Sequence, residues 1–419
     1  MLILTLLIGG SIVEPPLREL SILLAKNNQQ NSIKVGPVEP LANFTGFHNH
    51  VAYQLVVMYR FGASAAAMRE QAKQATHSML PPVPSQGLIN GSNWADHIGG
   101  CGCGLVSGRT DVLYLDYYNY YAAYMAVHGP NATLLAHWPR LAAGLVGDIF
   151  HAVIQLGYAF EGRGTGTTDP AHPPSGVHIL PGLVAQGLAW SSTAFATLPS
   201  PPSGGRLRQA PLAALATLHE DAYPFPPYIW QDEATCFPIG GDPHGNVCWN
   251  DAIDDLVVNR SAALIRYELH PSMLPANEDS SFEALCRAAL VVFAAGGYKD
   301  FYLLHLVTGS RAVWSIAVHS GLRWSDATRR AMLDATWRSV LYGYVARRRP
   351  SISPPPPLSP PWRPWHKLQA ASLLYPEEPH LAKLVLVCAD FHARWADDLY
   401  WQTAERAVEL YEAGGKFEH

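Results

Sequence analysis

Charge is scarce in this chain of 419 residues: Asp, Glu, Lys and Arg make up only 15% of it, against about 25% in an average soluble domain. The charge present does not lean towards nucleic acid. Lys and Arg number 29 and Asp and Glu 34, a formal net charge of −5, whereas a phosphate-tracking surface needs a basic excess. Long apolar runs are missing too. The best, Met1 to Val13, is broken by Gly9, Gly10 and Ser11, and it falls short of the roughly 18 continuous apolar residues that span a bilayer. With no basic residue at its start it makes a poor secretory signal. We therefore expect a cytoplasmic protein with no nucleic-acid and no membrane partner. Cysteine is also short, since six Cys in this length cannot build a disulfide scaffold. Cys101 and Cys103 form a C-x-C without the two-residue gap of a zinc knuckle and without a second pair. Four N-x-S/T sequons, at Asn43, Asn90, Asn131 and Asn259, are motifs short enough to arise by chance.

Several catalytic signatures are absent. There is no G-x-S-x-G elbow and no H-E-x-x-H. Gly162, Gly164 and Gly166 give G-x-G-x-G, but a helix-like block precedes them and no strand–turn–helix follows, so this is a loop and not a dinucleotide fingerprint.

What the chain does have is apolar mass (48% of residues), 18 His, 34 Pro and 34 Gly. Disorder is excluded by that hydrophobicity and low net charge. Pro and Gly punctuate the chain at 81–91, 162–176, 198–205, 223–245 and 350–364. The blocks between are Ala- and Leu-rich, with apolar residues three and four apart, as amphipathic helices require. Val51 to Met68 sets Leu55, Met58, Tyr59 and Ala63 in one stripe, and Leu141 to Phe160 sets Leu141, Leu145, Ile149, Ala152 and Leu156 in another. Phe282–Phe293, Phe301–Val318, Ser325–Val345 and Leu381–Leu410 behave alike. Alternating strand-like runs are rare, Asp111 to Tyr118 being the one tempting stretch. The expectation is an all-α fold: one large helical domain over 41–419 with long Pro/Gly-rich loops and a Pro-rich insertion at 350–364. Residues 1–40 read as a partly ordered N-terminal extension.

In so charge-poor a chain, ionisable residues inside apolar helices stand out. His151 and His305 both have apolar neighbours, so their imidazoles face inward. His380 and Lys383, three apart, share a helix face, and the Leu-Val-Leu-Val run after Lys383 leaves its head group little access to water. His48 and His50 flank Asn49 just ahead of the Val51 helix. Singly, each is explained as a core histidine satisfied by one hydrogen bond, or a snorkelling lysine. Together, inward imidazoles on separate helices are what a metal site within a helical bundle is built from. Imidazole suits Fe, Zn, Cu and Ni alike. Lys383 enters such a site only if burial lowers its pKa, making it a neutral nucleophile. Twelve Trp serve core packing, with an aromatic substrate pocket as the alternative use.

At these residues the chain resembles the questin oxidase-like family of fungal aromatic polyketide pathways. The matching segments are Asn49 to Ser64 (NHVAYQLVVMYRFGAS), Phe150 to Glu161 (FHAVIQLGYAFE), Asp300 to Ser310 (DFYLLHLVTGS) and Glu378 to Lys383 (EPHLAK). They occur in the family's order, from about position 40 to 390. The resemblance implies a helical fold and oxygen insertion into, or opening of, a ring of an anthraquinone-like polycyclic aromatic substrate, with O2 as co-substrate. It implies one of two chemistries: a non-haem Fe(II) centre, or an NADPH-linked Baeyer–Villiger oxidation without bound metal. For the iron type, the family's ligands carried over are His50, His151, His305, His380 and a carboxylated Lys383. Tyr53, Gln155 and Tyr158 are candidates to orient substrate hydroxyls. The chain departs from the family where Tyr53 stands at a position often held by His or Met, where Gln155 stands at one commonly held by His, and where Glu378-Pro379 replaces two acids before His380. Lacking a dinucleotide fingerprint, it would take reducing equivalents from substrate or bind NADPH without a Rossmann unit. A non-catalytic carrier of hydrophobic polyketides is the alternative of another class.

Overall fold

The apolar periodicity does become helix. In a computed structural model, which describes residues 15–33, 48–75, 79–99, 112–161, 179–199, 209–221, 229–230, 246–247, 249–269, 278–352, 358 and 361–418, the chain is all-α. The first helices are α1 (Pro15–Gln30), α2 (Val51–Arg60), α3 (Ala65–Ala75), α4 (Tyr114–Leu141) and α5 (His151–Gly157). Next come α6 (Pro181–Thr193), α7 (Pro211–Glu220), α8 (Trp249–Asn259), α9 (Ser261–Leu264) and α10 (Glu278–Ala295). The last are α11 (Phe301–Trp314), α12 (Asp326–Ala346), α13 (Trp365–Ser372), α14 (Pro379–Trp395) and α15 (Asp398–Glu412). Among the described residues the only sheet is a parallel pairing of Ile229–Trp230 with Asn246–Val247. The C-x-C of Cys101 and Cys103, the G-x-G-x-G loop, the Asn43 sequon and, in the Pro-rich stretch, residues 353–357 and 359–360 lie outside the described residues.

At the centre stands α11, every residue of which is buried. It is packed by α5, α10, α12 and α14, and a helix apolar on all sides belongs in such a position. A π-helical turn, Ser315–His319, continues it. Together, Phe301–His319 is the one helix among the described residues long and apolar enough to cross a membrane, and it is buried inside the protein. The segment before residue 40 contributes α1, whose Leu20, Leu23 and Leu24 are buried against α2 and α3.

Four sequence expectations change. The strand-like stretch before Tyr118 opens α4 instead, because Tyr114, Tyr117 and Tyr121 recur at helical spacing and are all buried. The 141–160 stripe is not one helix. Asp148, Ile149 and Phe150 take φ of +52°, +53° and +65°, a left-handed stretch that ends one segment and restarts the chain at His151 as α5. The block 381–410 divides at Ala396, φ +55°, and restarts at Asp397, whose carboxylate accepts from Leu399 N. Likewise 51–68 divides at Gly62, φ +78°, separating α2 from α3.

Candidate metal centre

Each expected histidine arrives on its own segment. His50 immediately precedes α2, His151 opens α5, His305 lies one turn into α11, and His380 lies in the first turn of α14. Their rings close a circuit. Ring centroids are 5.1 Å apart for His50 and His151, 4.8 Å for His151 and His305, 5.1 Å for His305 and His380, and 4.5 Å for His380 and His50. Ligand atoms of His50, His151 and His380 all lie within 4.8 Å of one another.

Outer hydrogen bonds aim these rings. His151 Nδ1 bonds the Asp148 carbonyl at 2.6 Å, and His305 Nδ1 the Phe301 carbonyl at 2.8 Å. His380 Nδ1 bonds the Glu378 carboxylate at 2.5 Å. With Nδ1–H donating outward, the Nε2 lone pair is left for the centre, which is how metal-ligating imidazoles are held. The left-handed turn at Asp148–Phe150 therefore has a use: it brings the Asp148 carbonyl back under its own neighbour's ring. Glu378 does two jobs, since its carboxylate also accepts from His380 N and so caps α14.

The centre itself holds nitrogen atoms without partners. His305 Nε2 and Lys383 Nζ make no hydrogen bond among the described residues, yet both residues are 0% exposed. Leaving a buried polar atom unpaired costs about 1–3 kcal/mol, so these atoms call for a ligand. His50 Nε2 and His151 Nε2 stand 2.9 Å apart. Two nitrogen atoms each ~2.1 Å from one ion and at right angles are about 3 Å apart, so this pair fits neighbouring ligands of a single ion. Burial, above all, holds the imidazoles of His50, His151 and His305 well below their ordinary pKa. They are neutral, as ligands must be. Burial also pushes Lys383 down to about 7, against the opposing pull of the Glu378 carboxylate. Its amine is thus available as a nucleophile near neutral pH.

The three residues expected to orient substrate are placed as follows. Tyr53 OH donates to the His151 carbonyl at 2.8 Å, and its ring centroid lies 5.2 Å from Lys383 Nζ. Its hydroxyl proton is therefore committed to backbone. Tyr158 stacks on Tyr53 with centroids 5.5 Å apart. Gln155 Nε2 donates to Gln186 Oε1 at 2.6 Å, while Gln155 Oε1 has no hydrogen-bond partner among the described residues. Both glutamines line a small polar cavity with Asn27, Asn28, Asn49 and Trp190.

Two residues beside the centre escaped sequence reasoning as parts of it. His48 stacks on His151 with centroids 3.7 Å apart and faces Asp148 Oδ1 at 3.4 Å. Asp148 also accepts from Trp190 Nε1 at 2.7 Å. The H-N-H spacing was a visible signal for His48. Asp148 carried none, because its position depends on a left-handed turn that no glycine announces.

No curated protein matches the chain. The family model described as questin oxidase-like matches residues 47–388, a span that contains all four histidines and Lys383. The chain belongs to the questin oxidase-like family.

Proposed function

We propose that this chain is a metal-dependent oxygenase, its ion held by His50, His151, His305, His380 and a carboxylated Lys383. Family membership makes it an oxidoreductase acting on aromatic polyketides. The observation that carries the finer reading is the buried pair of unpartnered atoms, His305 Nε2 and Lys383 Nζ, beside His50 Nε2 and His151 Nε2 at 2.9 Å. Bound Fe(II) supplies one-electron chemistry with O2 that no side chain offers.

The chain's own residues do the rest. The neutral Lys383 amine adds carbon dioxide, forming an N–C bond at Nζ and releasing one proton to solvent. The resulting carbamate replaces an orphaned amine with two oxygen donors, and its negative charge complements a cation. The Asp148 and Phe301 carbonyls and the Glu378 carboxylate keep each Nδ1–H turned away from the centre. Tyr53 ties the start of α5 to α2, so the His151 ring is fixed along with its backbone. Burial of His151, His305, His380 and Lys383, with His50 half-buried beside them, limits bulk water, leaving a polycyclic aromatic ring as a compatible neighbour for the reacting groups.

The test is elemental analysis of protein purified with bicarbonate present. Stoichiometric iron is expected, with activity on an anthraquinone lost on chelation. Iron far below stoichiometric, with full turnover that needs only NADPH, would overturn the reading. His305→Ala separates an enzyme from a carrier: the enzyme loses iron and turnover, whereas a carrier keeps ligand binding and loses nothing.

A further inference from the structure

The four segments that carry the histidines meet a second time. Ten residues on from His50, His151 and His380, and six on from His305, stands a charged residue, and all four are joined. Arg60, at the end of α2, pairs with Glu161, which follows α5, and with Asp390 of α14 at 2.9 Å. Arg311 of α11 pairs with the same two carboxylates, at 2.5 Å to Glu161 and 2.5 Å to Asp390. Two guanidinium groups against two carboxylates make a neutral, closed ring. Half of it is fully sequestered: Arg311 and Glu161 side chains are 3% and 1% exposed, while Arg60 and Asp390 keep 16% and 18%. All four segments therefore run in the same sense, from the imidazole layer to the charged layer.

Contacts join the two layers. The Arg311 guanidinium lies 5.7 Å from the Tyr158 ring centroid. Tyr158 stacks on Tyr53, whose hydroxyl holds the His151 carbonyl. A ring of this kind is a poor source of stability, because desolvating four charges offsets most of their attraction. It is a strict source of geometry, since forked guanidinium–carboxylate contacts tolerate little sliding.

We propose that Arg60, Glu161, Arg311 and Asp390 are positioning residues that lock α2, α5, α11 and α14 in the register that brings the four imidazoles together. The inference rests on the metal-centre reading above for its consequence, and on the imidazole geometry alone for its content. Two variants test it. One replaces the ring with apolar side chains (Arg60→Met, Glu161→Met, Arg311→Met, Asp390→Leu), a change that such networks often survive with stability intact. The other, Arg311→Lys, keeps the charge and loses the fork.

Two readouts are taken: Co(II) titration followed by visible absorption, and the histidine ring-nitrogen NMR shifts of the metal-free protein. The apolar variant should bind Co(II) about 10–100-fold more weakly and show displaced or broadened ring-nitrogen signals while its thermal midpoint holds. Arg311→Lys should show a smaller loss in the same direction, and it carries both readouts if the apolar variant does not fold. Folded variants with the parent's Co(II) affinity and the parent's imidazole shifts would overturn the proposal. A parent that takes up no Co(II) would sink the metal reading instead. The NMR shifts would then decide the ring's role: unchanged shifts overturn it, displaced shifts support it.

Discussion

Three imidazoles of the centre, His50, His151 and His305, are held neutral chiefly by burial, and that makes the metal-free protein sensitive to acid. An unfolded imidazole titrates near 6.5, while burial holds His50, His151 and His305 well below that value in the folded chain. As pH falls through about 6.5, the unfolded chain takes up protons that the folded chain refuses. Stability therefore falls with falling pH. Lys383 acts with the same sign at higher pH, since its folded value of about 7 lies below the unfolded value of about 10.4. Asp300 acts oppositely, because burial raises its carboxyl, so the comparison belongs above about pH 5.5, clear of the carboxylate range. Denaturant midpoints of metal-free protein should be lower at pH 5.5 than at pH 8, and an equal or higher midpoint at pH 5.5 would show that these imidazoles are not buried neutral. His151, His305 and Lys383 were legible in the sequence because each sits among apolar neighbours, and His50 and His380 because each leads into an apolar helix. Arg60, Glu161, Arg311 and Asp390 were not: Arg60 and Glu161 close apolar segments and read as solvated ends, while Arg311 and Asp390 lie inside their blocks with no partner visible nearby in sequence. Only pairing across distant segments shows otherwise.

At the scale of the element, helix content followed from periodicity, but helix ends did not. Three non-glycine residues in left-handed conformation, Asp148, Ile149 and Phe150, end a stripe that looked continuous, and such positions are rare enough that no local pattern predicts them. The short α5 that results is wedged between α6 and α11 by close backbone approach. A Cβ added at Gly187 of α6 would stand 2.6 Å from Leu156 Cα of α5, and one at Gly157 of α5 would stand 2.7 Å from Ala312 Cα of α11. Backbone cannot step aside as a side-chain tip can. Gly187→Ala should therefore cost about 1–3 kcal/mol in chemical denaturation and weaken metal uptake, because the helix it displaces carries His151. Gly182→Ala, on the same helix, is the control. Its added Cβ would meet only Gln186 Nε2, at 3.9 Å, so stability should hold or rise. Equal behaviour of the two variants would mean that α5 is not held by backbone contact.

Over the whole molecule, the scarcity of charge and the surplus of apolar residues find one explanation. A fully buried central helix ringed by others needs many apolar faces, and much of the limited charge is spent in fixed pairs such as the Arg60–Arg311 ring. The place of α1 in that whole is the remaining question of organisation, because composition at 1–40 gave no core signal beyond a weak apolar start. Leu20, Leu23 and Leu24 bury one face of α1, which packs on α2, α3 and α6. Asn27 Oδ1 accepts from Asn49 Nδ2 at 3.2 Å, one residue from His50. On these contacts α1 shares the cooperative core and steadies the approach to the centre. Leu24→Ala removes a side chain only 3% exposed and should cost about 2–5 kcal/mol, within one unfolding transition seen alike by far-ultraviolet circular dichroism and by tryptophan fluorescence. An appended helix would behave otherwise: the main transition would keep its midpoint while a small, separate loss of helicity moved to lower temperature. Should that second pattern appear, the cooperative unit begins after α1, and the Asn27–Asn49 bond contributes nothing to the geometry at His50.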